Sequence, residues 1–292
     1  MKPLLATAAA IGLVLQSSAA QAQVEPPRTD QVRTIYDEPA NETHRAIRDA
    51  MQQRRILETV GALLSSFRLP RELTLEVRSC NGRETAWYDR GTAVFCYEYV
   101  ELIQRYAPKV ATPGGVQRAD AIVGAVIDTI LHEAGHGVFD LLEVPVMGRE
   151  EDAADFFSIY FMLQFPPEDA RRLIEGIAFN MGSEARPEVT ERQAPQKFAG
   201  PHAMNAQRHY NVLCLSYGAN PALFGVGIPA GLPPWRARFC GDDWGMLRRA
   251  FTKLILPHVD EARLRAAIAG VRFGWSPLAT ATESFDKPPL GD

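Results

Sequence analysis

Hydrophobic positions recur with a helical period along most of this chain and with a strand period in one short region only. From Glu42 to about Phe67, Ile47, Met51, Ile56, Val60, Leu63 and Leu64 fall on one helical face, predicting an amphipathic helix that ends before Pro70. The period then drops to two. Leu73, Leu75 and Val77 alternate with polar residues, and further strands are expected at Thr85–Tyr88 and Thr92–Tyr97. Asp89-Arg90-Gly91 between the last two reads as a hairpin turn, with Gly where positive φ is needed.

After Glu98 the pattern is helical again. A short helix runs to Tyr106, and Ala111-Thr112-Pro113-Gly114-Gly115 breaks the chain. A long apolar helix is predicted from Val116 to Leu142, followed by helices over Arg149–Leu163, Glu168–Met181, 202–217 and 242–256. Residues 183–200 are polar, carry Pro187, Pro195 and Gly200, and read as a mobile loop.

The N-terminus has its own pattern. Behind a single charge, Lys2, the apolar stretch Leu4 to Leu15 leads to Ala20-Gln21-Ala22, the small-x-small signature of a signal-peptidase site. That stretch is too short for a membrane-spanning helix, which takes about 20 apolar residues. Residues 1–22 are therefore expected to be a cleaved signal peptide, leaving a periplasmic or secreted protein with no integral membrane segment. Residues 23–40, with Pro26, Pro27 and Pro39, read as an extended lead-in; 41–275 as a single domain; and 276–292 as a disordered tail.

Composition adds limits. Of 292 residues 46% are hydrophobic and 23% charged, as in an ordinary globular protein, and the net charge of −4 argues against nucleic acid as a partner. Four cysteines allow three pairings. In an oxidising compartment Cys80–Cys96 and Cys214–Cys240 are favoured, because each closes a short local loop.

The candidate chemistry lies in the long helix, at His132-Glu133-Ala134-Gly135-His136. Histidines four apart stack on one helical face and can direct ring nitrogens at one metal ion. Glu133 sits about 100° round from His132, beside such a metal rather than on it, where it can act as general base on a water. Ala134 and Gly135 are small and would keep the helix surface near the metal uncrowded. A catalytic zinc usually takes three protein ligands. Phe139 and Leu142 stand where a third ligand of the metzincin type would need Gly and His, so that subclass is excluded. The next helix offers Glu150, Glu151 and Asp152 instead, with Glu151 favoured. Asp155, four residues on and on the same face as Glu151, is placed to accept the second N–H of a ligating histidine.

His132-Glu133-x-x-His136 followed by Glu151-x-x-Ala154-Asp155 resembles the gluzincin arrangement of zinc metallopeptidases. The wider pattern resembles a bacterial family of exported, predicted metallopeptidases of unassigned function, over roughly residues 45–255. The matching segments are Trp87-Tyr88-Asp89, Cys96-Tyr97-Glu98, His136 to Asp140, Gly148 to Asp155, and Gln207-Arg208-His209-Tyr210-Asn211 before Cys214. The resemblance implies peptide-bond hydrolysis of a peptide or protein substrate. It also implies an edge strand that pairs with extended substrate, here the strand at Thr92–Tyr97. A downstream oxyanion donor is implied as well, with His202, His209 and Tyr210 as candidates and His202 preferred.

Together these readings predict an α+β, mostly helical, zincin-like metallopeptidase domain with a small antiparallel sheet. Zn2+ would be held by His132, His136 and Glu151, with Glu133 as base, Asp155 orienting a ligand and His202 stabilising the oxyanion. Two rival functions stay open: a zinc hydrolase of another amide, such as peptidoglycan cross-bridges, and a non-catalytic periplasmic binding or adaptor protein that keeps zinc for stability.

Overall fold

The computed structural model describes residues 30–190, 195–225 and 231–273, so the expected signal peptide and the tail at 276–292 lie outside it. Four strands form one sheet: β1 (Val32–Tyr36), β2 (Leu73–Arg78), β3 (Ala86–Asp89) and β4 (Thr92–Cys96). The helices are α1 (Glu42–Gln53), α2 (Ile56–Leu64), α3 (Tyr97–Tyr106), α4 (Arg118–Leu141), α5 (Glu150–Met162) and α6 (Pro167–Thr190). After them come α7 (Pro195–Phe198), α8 (Asn205–Ala219), α9 (Pro221–Phe224), α10 (Pro234–Ala237), α11 (Cys240–Ala250) and α12 (Glu261–Gly270). No helix among the described residues is long and apolar enough to cross a membrane.

The domain is mostly helical α+β, as the periodicity predicts, but its sheet is mixed rather than antiparallel. The strand order is β1-β2-β4-β3. β1 and β4 both pair parallel to β2, and only β3 runs antiparallel, against β4. The parallel pairing arises because β3 is a hairpin arm folded to the outside, which lets β4 return alongside β2 in the same direction. Arg90 (φ 45°) and Gly91 (φ 95°) form the two-residue turn, and positive φ at both positions matches the twist of the flanking strands. The free edge beside α4 is therefore β3. The strand at Thr92–Tyr97, expected at the edge, is interior.

Three further expectations change. The stretch read as an extended lead-in carries β1, whose adjacent Arg33 and Thr34 are both exposed and whose sequence therefore shows no apolar alternation. The first helix is two helices, broken at Arg54-Arg55 where Arg55 turns left-handed (φ 55°). The segment expected to be a loop from 183 is the C-terminal third of α6, whose inner positions Met181 and Ala185 are buried while its outer face is polar.

α4 is the axis of the molecule. Its apolar residues are buried round nearly the whole circumference, as expected of a helix covered on all sides. One side packs on the sheet, and α5 and α6 cover the others. Asp120 closes its first turn by accepting from the backbone N–H of Gln117 (2.9 Å). The C-terminus ends in a Schellman motif, with Glu143 left-handed and the Val144 N–H bonded to the Phe139 carbonyl (2.9 Å). That stop turns the chain so that α5 comes back beside α4.

The approach of α6 to α4 is set by Gly176. A Cβ there would lie 2.0 Å from the Asp120 carbonyl oxygen, a backbone atom with no freedom to withdraw. Gly176→Ala is expected to force the two helices apart and cost ~1–3 kcal/mol, read as a lower urea midpoint.

Both expected disulfides are present. Cys80–Cys96 (Cα–Cα 5.6 Å) ties the loop after β2 to the end of β4, and Cys214–Cys240 (4.9 Å) ties α8 to the start of α11. Glu98 lies beside the first bridge, but the two sulfurs are bonded to each other and its carboxylate accepts from the Cys80 and Gly82 N–H groups. That cluster is structural.

Candidate metal centre

The helical spacing of His132 and His136 brings their Nε2 atoms to 3.3 Å from each other. α5 returns antiparallel and delivers Glu151, whose Oε2 lies 3.1 Å from Nε2 of His132 and 3.4 Å from Nε2 of His136. Two nitrogens and one carboxylate oxygen thus form a near-equilateral triangle. A tetrahedral ion with bonds of about 2.0–2.1 Å separates its ligand atoms by about 3.3 Å, so this donor set fits zinc in chemistry and in size.

The remaining ring nitrogens are also engaged. His132 Nδ1 lies 2.9 Å from Asp155 Oδ1, and His136 Nδ1 lies 2.7 Å from Glu150 Oε1. Each carboxylate fixes its ring's rotation and leaves Nε2 for the shared point. Glu150, which a helix start alone would explain, is thereby the counterpart of Asp155. Asp152 instead pairs with Arg149 (3.0 Å).

Glu133 is 8% exposed and lies on the wall of two adjoining cavities. Ala134 and Gly135 lie elsewhere. Gly135 is covered by the Phe157 ring of α5, with contacts of 3.2–3.3 Å to the place a Cβ would occupy. The small residues of the motif therefore serve helix packing, not clearance at the metal. Gly137 admits the Tyr88 ring, and the Tyr88 hydroxyl donates to Asp140 (2.6 Å), fastening β3 along α4.

His202 comes from the segment before α8 and is half exposed. Its Nε2 lies 2.8 Å from Glu151 Oε2, so His132, Glu151 and His202 form a second possible ligand trio with the same carboxylate at its centre. His209 and Tyr210 do not reach the site. The His209 ring lies on α6, Nδ1 donating to the Ala178 carbonyl (2.9 Å), and Tyr210 is exposed.

Electrostatics at this point favour positive charge. Contacts with His132, His136 and His202 hold the Glu151 carboxyl far below the usual carboxylate range. Burial opposes a charged His132, yet the Asp155 and Glu151 carboxylates on its two nitrogens overcome it and raise the pKa to about 10. Burial also raises Glu133, only partly offset by the neighbouring histidines.

Behind Asp155 stands a residue of the Gln207–Asn211 segment to which sequence reasoning assigned no role. Arg208 on α8 meets it in a fork, Nε to Oδ2 at 2.8 Å and Nη2 to Oδ1 at 2.7 Å, and outweighs the burial that would raise the Asp155 carboxyl. Arg208→Met would leave Asp155 buried with the His132 ring as its remaining partner among the described residues. The expected cost is ~3–5 kcal/mol in thermal unfolding, with metal affinity about 10- to 100-fold weaker by competition titration because Asp155, released from Arg208, no longer holds the His132 ring firmly.

Of the comparisons with known proteins, one gives a match. The model of the family DUF4344, described as "Putative metallopeptidase", matches residues 36–255. The chain belongs to this family. The matched region of this DUF4344 member runs from the end of β1 past α11, and so contains every residue of the centre described above. No curated protein and no solved structure matches the chain.

Proposed function

We propose that this protein is an exported zinc-dependent peptidase. One observation carries the reading: Nε2 of His132, Nε2 of His136 and Oε2 of Glu151 lie 3.1–3.4 Å apart, with Glu133 beside them on a cavity wall. Zinc, when bound, supplies Lewis acidity toward a carbonyl oxygen and a water. His132, His136 and Glu151 would hold it.

The chain's own residues do the rest. Glu133 takes the proton of the attacking water and gives it to the amine as the C–N bond breaks. Its raised pKa suits a group that must hold a proton between two transfers. His202 donates to the carbonyl oxygen as that atom gains charge. Asp155 and Glu150 keep the two imidazoles in place. Ala86, Trp87 and Tyr88 of β3 line the outer cavity, of about 480 Å3, beside Glu133 and His136. The free edge of β3 there supports main-chain pairing with an extended peptide.

Mature protein is expected to carry about one equivalent of zinc by elemental analysis. It should hydrolyse casein, lose that activity to a chelator and recover it with zinc. Cleavage of purified sacculi but not casein would move the reaction to peptidoglycan cross-bridges. The contact of His202 with Glu151 favours one second reading, a closed zinc site in a non-catalytic adaptor. His202→Ala separates the two. The peptidase keeps its metal and loses rate in that variant, whereas a closed structural site loses the metal.

A further inference from the structure

The inner of the two cavities has features that metal binding leaves unexplained. Its volume is about 190 Å3, it is lined by residues of α4 and α6, and it shares Ala86, Glu133 and His202 with the outer cavity. That is the size for one long side chain, well below the 300 Å3 or more of a typical ligand pocket.

Its polar lining divides into groups that are paired within the protein and groups that are not. Arg208 is held in its fork on Asp155, Glu84 is paired with Arg105, and Asp128 accepts from Ser158 Oγ (2.5 Å). Asn180 and Glu184 differ. Asn180 is 6% exposed, lines the cavity, and its side chain makes no hydrogen bond among the described residues. Glu184 stands one helical turn further along the same face of α6. It too lines the cavity with neither a hydrogen bond nor an ion pair among the described residues. Buried polar groups are normally satisfied, and burial raises the Glu184 carboxyl while the Arg208 guanidinium, itself tied to Asp155, offsets that only in part. Both become satisfied if a cation with several N–H donors enters.

We propose that this cavity is the specificity pocket for a basic side chain, arginine or lysine, next to the scissile bond, with Glu184 as counter-charge and Asn180 Oδ1 as acceptor. The proposal rests on the peptidase reading, and its position follows from Glu133 and His202 lining this cavity as well as the outer one. A guanidinium or ammonium at the end of a long aliphatic stem would place its charge at Glu184 while the stem passes Ile177 and Met181, which also line the space.

The test uses the zinc-loaded protein and quenched fluorescent peptides that differ at one position, carrying Arg, Lys, Leu or Glu. Arginine and lysine peptides are expected to exceed the leucine peptide about 10- to 100-fold in kcat/KM, the range for a hydrogen-bonded charge pair in a desolvated pocket. Glu184→Gln should collapse that ratio to within a few-fold, and Glu184→Arg should turn preference toward the Glu peptide. A ratio taken within one preparation is independent of the folded fraction. Equal cleavage of Arg, Leu and Glu peptides, or a preference that survives both substitutions, would overturn the proposal.

A second arm does not need turnover. Calorimetric titration of acetyl-arginine amide should show binding that acetyl-leucine amide lacks and that Glu184→Gln abolishes. Failure to cleave any peptide, with arginine amide still bound through Glu184, would defeat the peptidase reading and keep the pocket. Cleavage without arginine selectivity in either arm would keep the peptidase and defeat the pocket.

Discussion

Glu133→Gln is expected to lower peptide hydrolysis by roughly 10²- to 10⁴-fold, the usual contribution of a positioned general base. Metal should stay bound. The substitution exchanges one carboxylate oxygen for an amide nitrogen, keeps the volume, and removes only the ability to accept and return a proton. Glu133 makes no side-chain hydrogen bond among the described residues and is not part of the Nε2–Nε2–Oε2 triangle, so the substitution breaks no contact that holds the triangle. The measurement is kcat on a quenched peptide, paired with zinc content by elemental analysis of the same preparation. Unchanged kcat would remove Glu133 from the chemistry and the mechanism with it. Loss of zinc would show that Glu133 ligates, contrary to the role assigned here.

Glu151→Gln carries the second large effect, on metal rather than on turnover. Glu151 is the point on which His132, His136 and His202 converge, at 3.1, 3.4 and 2.8 Å. It brings the only formal negative charge among the four, and contacts with the three imidazoles are what hold its carboxyl so far below the usual range. Removing that charge takes away both a ligand oxygen and the compensation for a dication in a largely buried place. Zinc affinity should fall by more than the 10- to 100-fold typical of residues that only support a ligand, such as Asp155. Competition titration against a chromogenic chelator reads the difference, with Asp155→Asn as the comparison. Wild-type affinity in Glu151→Gln would show that the metal is held elsewhere.

The part of the site that a linear reading captured is the part built from local geometry. His132 and His136 meet because a helix turns 3.6 residues in each cycle, and that holds wherever the helix is placed. Glu151 and Asp155 share a face for the same reason. Two short-range bridges and the Arg90-Gly91 turn were legible on similar grounds, since each depends on residues close in sequence. β1 was not. Its two exposed residues, Arg33 and Thr34, are adjacent and give no apolar alternation, and its partner β2 lies about forty residues away. Nor was the mixed sheet, because alternation reports which face is buried and is silent about strand direction.

Other features depended on surroundings that no spacing encodes. Gly135 looked like clearance for a metal and proved to be room for Phe157. The polar stretch after Ser183 looked like a loop because its outer face is solvated, yet its inner face is packed.

The sequence by itself determined the chemical types at the centre: two imidazoles on one helix face, a carboxylate between them, and acids on the next helix. Only the tertiary structure decided which acid faces which nitrogen, that Arg208 stands behind Asp155, that His202 touches Glu151, and that Glu184 opens on an inner pocket. The reason is one of range. Bond geometry and helical pitch fix relations over four residues, whereas relations over fifty or more follow from how α5, α6 and α8 pack on α4. That packing is settled by shape and burial along whole helices, down to a glycine such as Gly176 that lets two backbones meet.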